Sequence, residues 1–255
     1  MRFDDFDSVM RVYETSHDLC VMPGLYIVVR IDGRGFTQLT KKVMDYERPF
    51  DVRFRDAMVG TVKHLMGCGF NCLYGYTQSD EISILLSLGD STFGRKIRKI
   101  NSVMAGEASA AFTHAIGKPA SFDCRVSQLP STQLVIDYFR WRQQDAHRNA
   151  LGGHCYYALR ANGRSKRQAT NDLLGLSVSE KNQLLFDLGT NFNDLPSWQK
   201  NGVGVEWEDF DRVGFNPKEG VETLTTRRRL ASNLLLRYGD DYSKYVACFL
   251  QESAT

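Results

Sequence analysis

The hydrophobic positions in the first half of the chain change period repeatedly, and each change marks an element. Residues 25-LYIVVRI-31 form an unbroken apolar run rich in β-branched side chains, which predicts a strand buried on both faces. A polar loop is expected to follow through 32-DGRGFTQLTKKVMDYERP-49. Phe54, Met58, Val62 and Leu65 then recur at helical spacing, with Asp51 as an N-cap and Gly67 as a stop. Two strands are expected at 71–78 and 81–87, because Ile82, Ile84 and Leu86 alternate with Ser83, Leu85 and Ser87. A second helix is expected over 91–116, with the stripe Ile97, Ile100, Met104, Ala108, Phe112 and Ala115, ended by Gly117 and Pro119. A strand near 120–127 completes the order β-α-β-β-α-β.

This order predicts an α+β fold: a ferredoxin-like antiparallel sheet with helices, of the kind found in polymerase palms, over residues 1–130. Residues 131–255 are expected to form an elaborated, mainly helical C-terminal half packed on it. There, 131–163 reads as one long helix, or two broken near Gly152 and Gly153. Shorter helices are expected at 165–174 and at 179–188, the latter capped by Ser179, and strands at 202–211 and 221–230.

The topology has a chemical consequence. The crossover makes the first two strands parallel and returns the third between them. The end of the first strand and the tip of the hairpin that follows therefore share one edge of the sheet. Asp32 directly follows the first strand and Asp80 sits at the tip, beside Ser79 and Glu81. Paired aspartates at such an edge can hold magnesium, a hard cation that takes a few carboxylate oxygens and leaves places for water and phosphate. Two such ions suit in-line phosphoryl transfer. Gly33 and Gly35 would let the backbone approach a triphosphate, and the Ser79 hydroxyl could donate to it. The bland alternative is that Asp32 opens a turn and that Asp80 and Glu81 are solvated.

Composition adds bounds. The chain has 255 residues, 42% hydrophobic and 24% charged, the make-up of a soluble globular protein with a sizeable core. A net charge of +2 gives no argument for a nucleic-acid partner, which would have to be met by local basic patches. The acidic start MRFDDFDSVM lacks the pattern of a signal peptide, and no apolar run is long enough to span a membrane, so a cytoplasmic protein without a membrane partner is expected. Cys20, Cys68, Cys72, Cys124, Cys155 and Cys248 are scattered without a CxxC pair, which argues for reduced thiols and against zinc.

The segments 30-RIDGRGF-36, 46-YERPFD-51, 78-QSDEIS-83, 181-KNQLLF-186 and 191-NFNDLP-196 together resemble the tRNA-histidine guanylyltransferase family and its bacterial and archaeal like-proteins, the 3′-to-5′ polymerases. The resemblance implies that Asp32 and Asp80 bind two magnesium ions with the Gly33 carbonyl as a further ligand. Ser79 and Glu81 would support the metal and triphosphate. Gly33, Arg34, Gly35, Phe36, Lys41, Arg48 and Asp51 would wrap a nucleotide, and His147, Lys181 and Asn191 would lie near it. The implied partners are tRNA, GTP and ATP, and the implied assembly is a homo-oligomer, a tetramer in the family. In the family scheme ATP or GTP activates the tRNA 5′ end, and the 3′-hydroxyl of an incoming NTP attacks it.

The chain departs from the family pattern at three points. Arg48 stands where a lysine is common, Thr37 where a histidine is, and 147-HRNALGG-153 replaces HINNLYN, with Ala150 for an asparagine. These departures fit the like-proteins, which repair truncated tRNA 5′ ends against the opposite strand, better than untemplated guanine addition. Arg95, Lys96, Arg98 and Lys99, the group Arg160, Arg164, Lys166 and Arg167, and the run Arg227–Arg229 are candidate phosphate contacts or simply wet faces. His154 and the tyrosines at 74, 76, 156 and 157 read as packing residues. A nucleotide cyclase on a palm fold and a non-catalytic RNA-binding module are the alternatives.

Overall fold

The computed structural model describes residues 2–216 and 221–251. An acidic helix opens it, α1 (Phe3–Thr15), which buries none of its residues. The apolar run that follows is strand β1 (Tyr26–Arg34), which continues three residues past the end of its hydrophobic stretch. Asp32, Gly33 and Arg34 thus lie in a strand and not in the expected polar loop. The rest of that loop is also structured: a single turn α2 (Phe36–Gln38) runs into a π-helical turn, Leu39–Val43.

Helix α3 (Val52–Met66) starts where Asp51 accepts a hydrogen bond from the Arg53 N–H, the expected N-cap. Strands β2 (Cys72–Gln78) and β3 (Glu81–Leu86) form the expected hairpin. The next helix begins later than its sequence pattern suggests. A 3-10 turn, Thr92–Arg95, precedes α4 (Ile97–Ile116), which Gly117 ends in a left-handed conformation. Strand β4 (Ser121–Leu129) follows.

Of the two readings of 131–163 the single helix holds: α5 (Thr132–Ala161) runs unbroken through Gly152 and Gly153 for 30 residues. Ala150, Leu151 and Cys155 beside the glycines are buried against Leu185 and Phe192, which holds the helix through its weakest point. Helix α6 (Lys166–Leu173) carries a capping box from Ser165 to Gln168. Helix α7 (Val178–Asp187) is capped by Ser177 and not by Ser179, because Glu180 completes a capping box with Ser177. A short helix α8 (Ser197–Asn201), the strands β5 (Val203–Asn216) and β6 (Val221–Asn233), and helix α9 (Asp240–Gln251) complete the chain.

The strands form one six-stranded sheet in the order β4-β1-β3-β2-β5-β6, each pair antiparallel. The ferredoxin-like four are extended past β2 by the β5–β6 ribbon. Alternate residues of β1 enter two cores. Ile27, Val29 and Ile31 pack with residues of α3 and α4 such as Met58, Val62, Ile100 and Met104. Val28 joins Tyr74, Tyr76, Val135, Phe139 and Val246 on the side of α5 and α9. At Gly75 any Cβ would meet Val62 Cγ1 at 2.4 Å, so α3 rests directly on the β2 backbone. The six cysteines are free thiols, and among the described residues no helix is long and apolar enough to cross a membrane.

Candidate active site

Antiparallel pairing of β1 with β3 sets Asp32 opposite Glu81. The ladder is carried around the hairpin by the Gly33 N–H, which donates to the Asp80 carbonyl at 2.9 Å. Two acids distant in sequence are therefore fixed together by backbone hydrogen bonds. Ser79 makes the tight turn possible with φ +53°, an uncommon conformation for a residue with a side chain. Its Oγ donates to Asp80 Oδ1 at 3.1 Å, which fixes the carboxylate's direction.

Burial pushes the Asp80 carboxyl above its ordinary value, and the charge of Asp32 adds to the effect, against the Ser79 hydrogen bond. Burial likewise raises Glu81, although two arginines oppose it. Arg142 Nε donates to Glu81 Oε1 at 2.5 Å and Arg142 Nη2 to Oε2 at 3.0 Å, while Arg30 also pairs with Oε2. Glu81 is thus braced between β1 and α5. Arg30 Nη2 also reaches Asp32 Oδ2 at 3.3 Å, and Arg125 Nη2 lies 3.8 Å from the same oxygen.

This donor set fits a divalent cation. A half-buried carboxylate destabilised by a neighbouring acid gains from a hard cation, and magnesium needs only one or two protein carboxylates. Asp32 and Asp80 could hold it. Among the described residues no cluster of three acidic, histidine or cysteine side chains is gathered in a metal-binding arrangement, so other oxygen ligands must complete the shell.

Two cavities meet at the hairpin tip and share Pro49, Phe50, Gln78, Ser79 and Asp80 as a common wall. The smaller, about 150 Å³, lies under the 36–58 segment and includes Thr37, Lys41, Arg48 and Asp51. The larger, about 300 Å³, lies between the sheet edge and α5 and includes Asp32, Glu81, Arg142, Asp145, Asn149 and Tyr157.

Of the expected nucleotide residues, Lys41, Arg48, Asp51, Ser79 and Phe36 line the smaller cavity. Arg48 donates to the Thr40 carbonyl, and Asp51 is buried by its cap and its pairing with Arg53. Gly35 turns at φ +74° and Arg34 is exposed. Gly33 has a different reason from the expected one: the Phe36 ring would lie 2.6 Å from any Cβ there.

His147, Lys181 and Asn191 line neither cavity. His147 Nδ1 bonds Asn201 Oδ1 at 3.0 Å and its ring packs on Tyr238. The Lys181 carbonyl accepts from Cys155 Sγ, and Asn191 caps the turn Phe192–Asp194.

The basic groups are also placed. Arg95 is buried, outside α4, and donates to the carbonyls of Val21, Leu25, Leu88 and Asp90, so it is no part of a wet face. Lys96 and Arg98 pair with Asp18. Arg228 and Arg229 lie on the outermost strand, paired with Asp209 and Glu208. The arginines that do reach the acids, Arg30, Arg125 and Arg142, escaped the sequence reading. Only Arg30 had a signal, two residues before Asp32 on the same strand face.

A ferredoxin-like sheet with convergent acids at one edge, walled by two cavities, defines a palm-type enzyme site. The family model described as tRNAHis guanylyltransferase matches residues 7–130, and that of the Thg1 C terminal domain matches residues 133–233. The tRNA(His) guanylyltransferase of Debaryomyces hansenii is 31% identical over 83% of this chain and 85% of its own length. That of Neurospora crassa is 33% identical over 79% and 73%. Among solved structures, a bacterial tRNA(His) guanylyltransferase-like protein in complex with ATP superposes with a TM-score of 0.73 at 29% identity, over 96% of this chain and 99% of that one. The tRNA(His) guanylyltransferase of Saccharomyces cerevisiae gives 0.70 at 26% identity, over 76% and 91%. The chain belongs to the tRNA(His) guanylyltransferase family and is a nucleotidyltransferase.

Proposed function

We propose that the protein is a magnesium-dependent nucleotidyltransferase that adds nucleotides to the 5′ end of tRNA in the 3′-to-5′ direction, as a like-protein that repairs truncated ends. The observation that carries this reading is the pinning of Asp80 to Gly33, which brings Asp80, on the wall shared by the two cavities, together with Asp32 on the larger one. The bacterial tRNA(His) guanylyltransferase-like protein solved in complex with ATP and with GTP supports nucleotide binding.

Asp32, Asp80 and the Gly33 carbonyl would hold the magnesium ions. Bound there, the ions lower the pKa of an attacking oxygen and stabilise charge on the leaving group. Lys41 and Arg48 place positive charge in the smaller cavity, where a triphosphate is the fitting ligand. Arg48 offers a planar fork rather than a point charge. Ser79 orients Asp80, and Glu81 braces the hairpin through Arg30 and Arg142. The larger cavity receives the RNA 5′ end, so that activated phosphate and incoming 3′-hydroxyl meet across the shared wall. Assembly as a homo-oligomer, a tetramer by family resemblance, and a cytoplasmic location belong to the same proposal.

The test is incubation with magnesium, labelled GTP and ATP, and tRNAs lacking their first 5′ nucleotide, beside full-length tRNA-histidine. The expected result is preferential extension of the truncated tRNAs, abolished in Asp32→Ala and Asp80→Ala proteins that keep the wild-type circular dichroism spectrum. Near-normal transfer by either variant would overturn the assignment of the acids. A cyclic nucleotide formed without RNA would replace the reading with a cyclase.

A further inference from the structure

We propose that Trp141 and Arg125 form a subsite for the 5′-terminal nucleotide of the RNA, the indole stacking on its base and the guanidinium meeting its phosphate; this rests on the 5′-end reading of the larger cavity. Trp141 is 53% exposed, whereas the other tryptophans, Trp198 and Trp207, pack partly against the core. Leaving a large indole in water forgoes burial, and its position against Arg142, a wall residue of the larger cavity, gives it a use.

The ring rests on a fixed support. The Arg142 guanidinium lies 4.3 Å from the Trp141 ring centroid, and Tyr138 meets the ring edge-on at 5.8 Å. Arg142 is only 7% exposed and is held by Glu81 and Asp145, so the indole sits on a group that cannot swing away. Arg125 lies on the same sheet side as Arg30, its partner across the β1–β4 ladder, and is 56% exposed. Its Nη2 is 3.8 Å from Asp32 Oδ2 and 3.2 Å from Asp123 Oδ1. The pair with Asp123 is exposed on both sides and therefore weak enough for a phosphate to displace.

A continuous chain of contacts thus leads from Asp32 through Arg30, Glu81 and Arg142 to Trp141, with Arg125 facing the same Asp32 oxygen as Arg30. An exposed aromatic face with an exposed, weakly paired guanidinium is how proteins hold an unpaired nucleotide without reading its sequence. A terminal nucleotide is the fitting ligand here, because Arg125 lies 3.8 Å from Asp32 and the arginine under Trp141 is on the wall of the larger cavity.

The experiment measures two affinities on the full-length protein with magnesium present. One probe is a 5′-monophosphorylated RNA hairpin with one unpaired 5′ nucleotide, followed by fluorescence anisotropy. The other is ATP, followed by calorimetry. Trp141→Ala is expected to weaken the hairpin about tenfold, within the range of one stacked base, with ATP unchanged; Trp141→Phe retains most of the affinity. Arg125→Ala is expected to lower the salt dependence of hairpin binding by about one phosphate contact.

Wild-type hairpin affinity in Trp141→Ala would overturn the subsite. So would an equal loss for ATP, or a change of mass in light scattering with hairpin affinity kept, since the tryptophan would then be a protein contact. These readouts are independent of tRNA extension. Failure of extension with the expected binding pattern counts against the proposed reaction and not against the subsite.

Discussion

Arg142 grips Glu81 with both arms of its guanidinium, Nε to Oε1 at 2.5 Å and Nη2 to Oε2 at 3.0 Å, and so ties α5 to the first residue of β3. Both side chains are largely buried, at 7% and 16% exposure. Removing one partner of such a pair leaves the other charge short of compensation, which typically costs about 3–5 kcal/mol. Here Arg30 still pairs with Glu81 and Arg148 with Asp145, so the lower end of that range is expected for Arg142→Ala. Arg142→Ala with Glu81→Ala together should cost less than the sum of the single changes, by about 1 kcal/mol or more. Urea denaturation of the four proteins checks this, and additive losses would show that the pair does not couple the elements.

Ser79 occupies a left-handed conformation that only glycine adopts at no steric cost. Ser79→Gly is expected to keep stability or raise it by up to about 1 kcal/mol. It also loses the hydroxyl that holds Asp80 Oδ1, so transfer activity should fall. Ser79→Val keeps neither the hydroxyl nor an easy backbone, and should fall in both. Denaturation midpoints and single-turnover rates separate the two effects. A stable, fully active Ser79→Val would show that neither the turn nor the hydroxyl matters.

The convergence of Asp32 with Asp80 is legible in the sequence, because strand order follows from the alternation of apolar periods and the hairpin length. That Asp32 lies within β1 is not, because the apolar pattern stops where the strand reaches the wet edge while its hydrogen bonds continue to Arg34. The partners of Glu81 are equally hidden. Arg142 reaches it only through the way α5 lies over the sheet, a tertiary fact without a local signal. Ser177 was open to a sequence reading, since Glu180 three residues on is the mark of a capping box. Helix α1 has no such mark of burial: Phe3, Phe6, Val9 and Met10 stay exposed, so no core imposes its pattern.

Two half-buried histidines set a pH dependence. Burial lowers the pKa of His147, against its bond to Asn201, and lowers that of His154 against Gln199. The unfolded chain binds their protons near the ordinary value of about 6.5, while the folded chain binds them only at lower pH. Their contribution to stability is therefore complete above about pH 6.5 and is lost as pH falls through the lowered folded values. His147→Gln with His154→Gln should flatten the decline of the urea midpoint between pH 7.5 and pH 5. Parallel curves for the wild type and the double variant would rule the histidines out as its source.

Gly153 tests whether the two cavities have separate ligands. It lies on the α5 wall of the larger cavity and is absent from the wall of the smaller. A Cβ there would meet only Pro49 Cβ, at an ordinary 3.8 Å. Gly153→Ala is therefore expected to fit and to add about 0.5–1 kcal/mol of helix stability. It should leave the binding of ATP and of a 5′-phosphorylated RNA hairpin unchanged. Gly153→Phe projects a ring into a space of about 300 Å³ that already holds the Tyr157 side chain on its wall. It should weaken the hairpin at least tenfold and ATP far less, because the ring enters the larger cavity directly and reaches the smaller only through the shared Pro49. Calorimetry for ATP and anisotropy for the hairpin read the two sides independently. Equal loss of both ligands would mean that the cavities serve one ligand together, and loss of ATP alone would reverse their assignment.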